Sequence, residues 1–100
     1  MVDHLNIVQG VGEWVVVRTY SAGVHFGRLY RRDGKECVLT AVRRIWSWEG
    51  AASLDQLSRD GVSGGRISVE RPWRIITEAI EYIPLEEGAR LSLLRHEWTV

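Results

Sequence analysis

Cysteine is nearly absent from this chain. Cys37 stands alone, so no internal disulfide can form and a reducing compartment is expected. One cysteine also cannot build a cysteine-based zinc site, and His4, His25 and His96 lie too far apart for a paired-histidine ligand motif. No metal and no cofactor is expected. Proline is scarce, at 2 residues, and apolar residues make up 45% of the chain, which excludes a disordered composition. Charge of one sign is missing too: 13 basic residues face 13 acidic ones. A non-specific nucleic-acid binder would be clearly basic, so nucleic acid is not an expected partner. No run approaches the ~18 apolar residues of a membrane span. The start of the chain has neither the basic opening nor the apolar stretch of a signal peptide, so a cytoplasmic location is expected. Lysine is the last scarcity. Lys35 is the only one, leaving 12 arginines beside 5 tryptophans.

What is present is 100 residues of ordinary globular composition, the size of one domain with one core. Residues 1–13 have no clear period and read as an N-terminal arm; residues 14–100 read as a compact domain. Residues 14–19 are aromatic and β-branched, a strand signature. Tyr20, Ser21, Ala22 and Gly23 interrupt it, and residues 24–32 alternate as a second strand. Asp33-Gly34 follows as a hairpin signal. This turn pairs Arg32 with Lys35, Tyr30 with Cys37, Leu29 with Val38 and Arg28 with Leu39, so Leu29 and Val38 would share one face and Tyr30, Cys37 and Leu39 the other. Both faces then carry apolar side chains, and both should be covered. The third strand runs from Lys35 to about Arg44.

Ser53 and Gln56 form a capping box, Leu54 and Leu57 face inward at helical spacing, and Gly61 closes a short helix. Ser63, Gly64 and Gly65 read as a flexible loop, and residues 66–70 as a strand. Residues 73–83 mix helical spacing with strand-forming residue types; we read a strand with an irregularity near Glu78. Pro84 ends it. Residues 86–94 read as a second helix, with Arg95 and His96 near its C-terminus, where the macrodipole favours them. The expected fold is α+β, in the order β-β-β-α-β-β-α. It would be a small curved antiparallel sheet or open barrel of about five strands with two short helices.

Two stretches carry candidate chemistry. In the first, Arg18, Tyr20, Ser21, Ala22, Gly23 and His25 surround a turn. Small residues let backbone approach a ligand, free N–H groups and Ser21 could cradle a phosphate, and Tyr20 could stack on a base. The plainer reading is a hairpin turn in which Gly23 serves only its φ angle. The second holds Arg43, Arg44, Trp46 and Trp48. Arg44, Trp46 and Trp48 share a strand face, and Arg43 lies opposite unless a bulge intervenes. Guanidinium for phosphate and indole for base together suit a nucleotide. The plainer reading is a tryptophan-rich core with arginines paired to Glu49, Glu70 or Glu78. Arg66, Arg71, Arg74, Arg90 and Arg95 scatter elsewhere, most of them expected in solvent. No nucleophile motif is present, and Cys37 in mid-strand reads as a small buried residue, so no enzyme is expected.

Several segments also resemble a family of short phage and prophage proteins. They are residues 15–27, Gly34-Lys35-Glu36, residues 41–54, Gln56-Leu57, Gly61-Val62, and residues 78–81 with Pro84. The set is similar to the Thoeris anti-defence sponge proteins. Those are small, oligomeric proteins that sequester cyclic ADP-ribose isomers made by bacterial immune sensors, and some also take up cyclic oligonucleotides. The resemblance implies a homo-oligomer in the cytoplasm of an infected bacterium that binds a cyclic nucleotide without cleaving it. It makes residues 18–23 and 43–48 the ligand-contacting stretches. Adenine would stack on Trp46 or Tyr20, and Arg18, Arg43, Arg44 or Arg95 would neutralise phosphate. The chain departs from the family in its short loop at residues 63–66 and in Leu85, where relatives carry a longer polar loop and a threonine. The competing expectation, from the residues alone, is a small accessory or assembly protein whose tryptophans and arginines serve protein contacts.

Overall fold

Three consecutive β-branched residues, Val15 to Val17, set up the sheet, because all of them are buried and a strand sends alternate side chains to opposite faces. The computed structural model describes residues 8–98. In chain order the elements are β1 (Trp14–Thr19), β2 (Val24–Asp33), β3 (Glu36–Glu49), α1 (Leu54–Asp60), β4 (Gly64–Ile67), β5 (Arg71–Ile76), β6 (Ala79–Pro84) and α2 (Glu87–Leu94). All strand pairs are antiparallel, in the order β4-β3-β2-β1-β6, with β5 on the remaining length of β3. The sheet curls into a half-barrel. The expected fold class stands, with one more strand than expected.

Side chains on both faces of the sheet are buried, but the expected covering of both faces of the β2–β3 hairpin fails: Tyr30, and Trp73 and Ile75 on the neighbouring β5, are exposed. One face buries Val15, Val17, Leu29, Cys37, Leu39, Val42, Ile76 and Ala79, with Tyr82 against them. The other buries Val16, Phe26, Ile45 and Ile67 beneath Leu57 of α1 and Ala89 and Leu93 of α2. Each fully buried side chain of this size contributes roughly 1.5–3 kcal/mol, so the two clusters together hold the curl.

The hairpin between β2 and β3 turns one residue later than the sequence suggested. Asp33 pairs with Glu36, Arg32 with Cys37 and Arg31 with Val38. The turn residues are therefore Gly34 and Lys35. Gly34 has φ 60°, at the position where a type II′ turn wants glycine. A bulge at Tyr30 shifts the register again, so that Leu29 pairs with Leu39. The faces regroup: Leu29, Cys37 and Leu39 are buried together, while Tyr30 is exposed.

Strand β4 starts at Gly64, not at residue 66. Of the expected loop, Gly64 and Gly65 are in the ladder because Gly65 lets β3 approach: a Cβ there would lie 2.6 Å from the Ser47 carbonyl oxygen. Residues 73–83 divide into β5 and β6, which pair with β3 and β1 respectively. The irregularity at Glu78 is thus the break between two strands. Pro72 lies in β5, which has a neighbour on one side only.

Helix α1 forms as expected. The Gln56 N–H donates to Ser53 Oγ at 3.1 Å, and Gln56 Oε1 accepts from the Ala52 N–H at 2.8 Å. Gly61 closes the helix at φ 87°. Helix α2 begins one residue later than expected, with Glu86 at the N-cap and Arg95 at the C-cap. The first seven residues of the expected arm lie outside the described residues. The rest of it folds back on β2: the Gly12 N–H donates to the Leu29 carbonyl at 2.8 Å, and the Leu29 N–H to the Glu13 carbonyl at 2.9 Å.

Candidate functional site

In β2, Val24 and Phe26 pack toward the helices, so the alternation turns His25 to the other face. It sits opposite Val17 of β1 and Arg44 of β3 and is 1% exposed. Its Nε2 lies 2.9 Å from the Ala22 carbonyl oxygen, and its Nδ1 lies 3.1 Å from Nη1 of Arg74. A carbonyl can only accept and a guanidinium can only donate, so the ring is neutral, with its proton on Nε2. Burial, together with the Arg44 and Arg74 charges, outweighs the Ala22 bond and lowers the His25 pKa to about 4.

Around this ring a cationic cluster gathers. The Arg44 guanidinium lies over the Trp46 ring, 4.8 Å from its centroid, and its buried Nε has no hydrogen-bond partner. Arg74 reaches the cluster from β5. Its pKa is held down by burial and by the positive charges of Arg44 and Arg71. Among the described residues, none of Arg44, Arg71 and Arg74 forms an ion pair. Trp46 is 56% exposed, so its ring is open to solvent beside these charges.

The other expected ligand residues are placed elsewhere. Within the 19–23 turn the polar groups satisfy one another. Thr19 Oγ1 donates to the Gly23 carbonyl at 2.7 Å and accepts from the Ala22 N–H at 2.9 Å, while the Tyr20 N–H donates to the Glu78 carbonyl at 3.0 Å. Ser21 Oγ donates to the Glu78 carboxylate, and Arg18 pairs with Glu81 at 2.6 Å. Two carboxylates therefore flank the turn, which opposes a phosphate there. Gly23 takes φ 84°, and Tyr20 projects into solvent, 80% exposed. Arg43 is engaged by Glu97, by Glu70 at 3.7 Å and by the Ser68 carbonyl at 3.1 Å. This is one of the ion pairs the plainer reading named.

Trp48 does not share a face with Trp46. Ile45 pairs with Ile67 and Ser47 with Arg66, so Trp46 is a bulge residue. Trp48 rotates to the helix side, where it packs on the Phe26 cluster and donates from Nε1 to the Ala51 carbonyl at 3.1 Å. Arg95 caps α2, which packs on that same side. The structure thus brings Arg44, Trp46 and His25 together and adds Arg74 and Arg71, two of the arginines that scatter in the sequence. A signal for Arg74 was present: it alternates in phase with the buried Ile76, while Trp73 and Ile75 face out.

The molecule is an antiparallel half-barrel α+β fold with an arginine cluster, free of ion pairs among the described residues, beside an exposed tryptophan. The chain belongs to the DUF6948 family, described as a domain of unknown function, whose family model matches residues 12–93. No curated protein and no solved structure matches the chain. Among the described residues, no helix is long and apolar enough to cross a membrane.

Proposed function

We propose that the protein binds a small phosphorylated ligand bearing an aromatic ring, at the Arg44, Arg74 and Trp46 cluster, and holds it without transforming it. One observation carries this reading: Arg74 is partly buried beside the positive charges of Arg44 and Arg71, and among the described residues none of the three forms an ion pair; burial first, and then those charges, lower the Arg74 pKa. Like charges held together cost free energy that a bound dianion relieves. The open Trp46 ring offers a stacking surface beside them. The neighbouring His25 has both ring nitrogens engaged, so it is a poor general base, in keeping with capture without turnover.

In its specific form, supported by the resemblance described above, the ligand is a cyclic nucleotide immune signal. It would be a cyclic ADP-ribose isomer or a cyclic oligonucleotide, sequestered in the cytoplasm of an infected bacterium to block anti-phage defence. Calorimetric titration tests both levels. ADP, the simplest ring-plus-pyrophosphate probe, is expected to bind, and Arg44→Ala is expected to weaken binding by about 10-fold or more. Cyclic ADP-ribose isomers should bind more tightly than ADP and be recovered intact after the complex is heated. Flat titrations against all of these overturn the proposal.

A second reading is favoured by large apolar side chains left exposed on β2 and β5. Trp73 is 62% exposed, Ile75 51% and Tyr30 67%, and large apolar side chains beside arginines are the composition of a protein contact. On this reading the chain forms homo-oligomers or docks on another assembly protein. Sedimentation of the wild type against Trp73→Ala tests it; a monomer at all concentrations removes the homo-oligomer.

A further inference from the structure

The His25 ring makes two hydrogen bonds to two parts of the molecule that are far apart in sequence. One goes to Ala22 in the turn between β1 and β2, the other to Arg74 on β5. Arg74 needs such a tether. It is half-buried among positive charges, forms no ion pair among the described residues, and would move away from Arg44 and Arg71 if left free. An acceptor on its Nη1 fixes the guanidinium plane and leaves the other N–H groups to meet a ligand. We infer that His25 is a positioning residue for the anion site, holding Arg74 in place through Nδ1 while its Nε2–H anchors the ring to the Ala22 carbonyl.

This inference rests on the ligand site proposed above and adds the residue that organises it. The two ring nitrogens have separate jobs, so they can be separated by substitution. In His25→Asn the side-chain oxygen can take the place of Nδ1 and accept from Arg74, but the side chain is too short to reach Ala22. In His25→Gln the longer amide can donate to the Ala22 carbonyl, but it leaves Arg74 without its acceptor. A residue that merely fills space would make no such distinction.

The test is calorimetry with ADP as the probe, beside thermal melts of the same proteins. His25→Asn should keep ADP affinity within about 3-fold of wild type while its melting temperature falls. His25→Gln should melt closer to wild type yet bind ADP about 10-fold more weakly. Equal losses of affinity in the two variants, or wild-type affinity in His25→Gln, overturn the inference while leaving the site standing. Absence of ADP binding by the wild type removes the site itself. If neither variant folds, nitrogen-15 shifts of the wild-type imidazole decide. The Nε2–H tautomer at neutral pH is expected, and an Nδ1–H or charged ring overturns the proposed role.

Discussion

At the scale of single residues, the decisive side chain is one whose charge is suppressed. His25 titrates at about 4 in the fold and near 6.5 in the unfolded chain. Between those values the unfolded chain binds the proton and the folded protein does not, so stability rises with pH across that window. The contribution is complete above about pH 6.5 and lost as the pH falls toward 4, an amount on the order of 3 kcal/mol. Urea unfolding from pH 7 to pH 4 should show this decline, and His25→Asn should flatten it. An unchanged slope in that variant would assign the acid sensitivity to carboxylates instead. The sequence places His25 in a candidate ligand stretch. Its neutral state and its bond to Arg74 were not legible, because the first follows chiefly from burial in the folded sheet and the second from a residue 49 positions further along the chain.

At the scale of elements, β3 shapes the site through its bulges. Opposite Gly27 the strand carries an extra residue, and Ala41 takes φ 48° there, a conformation that costs an L-residue roughly 1–2 kcal/mol. A Cβ at Gly27 would lie 2.9 Å from the Thr40 carbonyl oxygen. Opposite substitutions should therefore act in opposite directions. Gly27→Ala is expected to destabilise by about 1–3 kcal/mol, and Ala41→Gly to stabilise by up to about 1 kcal/mol. Chemical denaturation of the pair checks the sign of each. The second bulge, at Trp46, separates Trp46 from Trp48. The possibility of a bulge was visible in the sequence, but its position was not, because it is set by β4 pairing across β3. Helix α1 is the contrasting case. Its cap is local, so Ser53, Gln56 and Gly61 identified it at once, and Ser53→Ala should cost about 1 kcal/mol.

At the scale of the whole molecule, zero net charge conceals an uneven distribution. Arg18, Arg43, Arg59 and Arg90 are matched by carboxylates, while Arg44 and Arg71 lie close enough to act on Arg74 and none of these three forms an ion pair among the described residues. A ligand that binds only the folded state raises the melting temperature. At about 100 times its dissociation constant it adds ~2.7 kcal/mol, or about 10 °C or more for a domain of this size. ADP should produce such a shift in the wild type and a smaller one in Arg44→Ala. A shift of equal size in both would place the ligand elsewhere. Added salt should weaken the binding, because the cluster is partly exposed.

Composition and local pattern were enough to establish an α+β fold with a curled antiparallel sheet, a capped first helix and a stretch where arginine and tryptophan meet. Each of these follows from alternation, turn chemistry or capping, which act over a few residues. The sixth strand, the shifted hairpin register, the removal of Trp48 to the helix side and the arrival of Arg74 beside His25 and Arg44 came only with the folded sheet. Strand pairing joins residues remote in sequence, and a displacement of one residue changes which side chains share a face. The abundance of arginine could therefore be counted in the chain, but which arginines come together beside His25 was decided by the curl of the half-barrel.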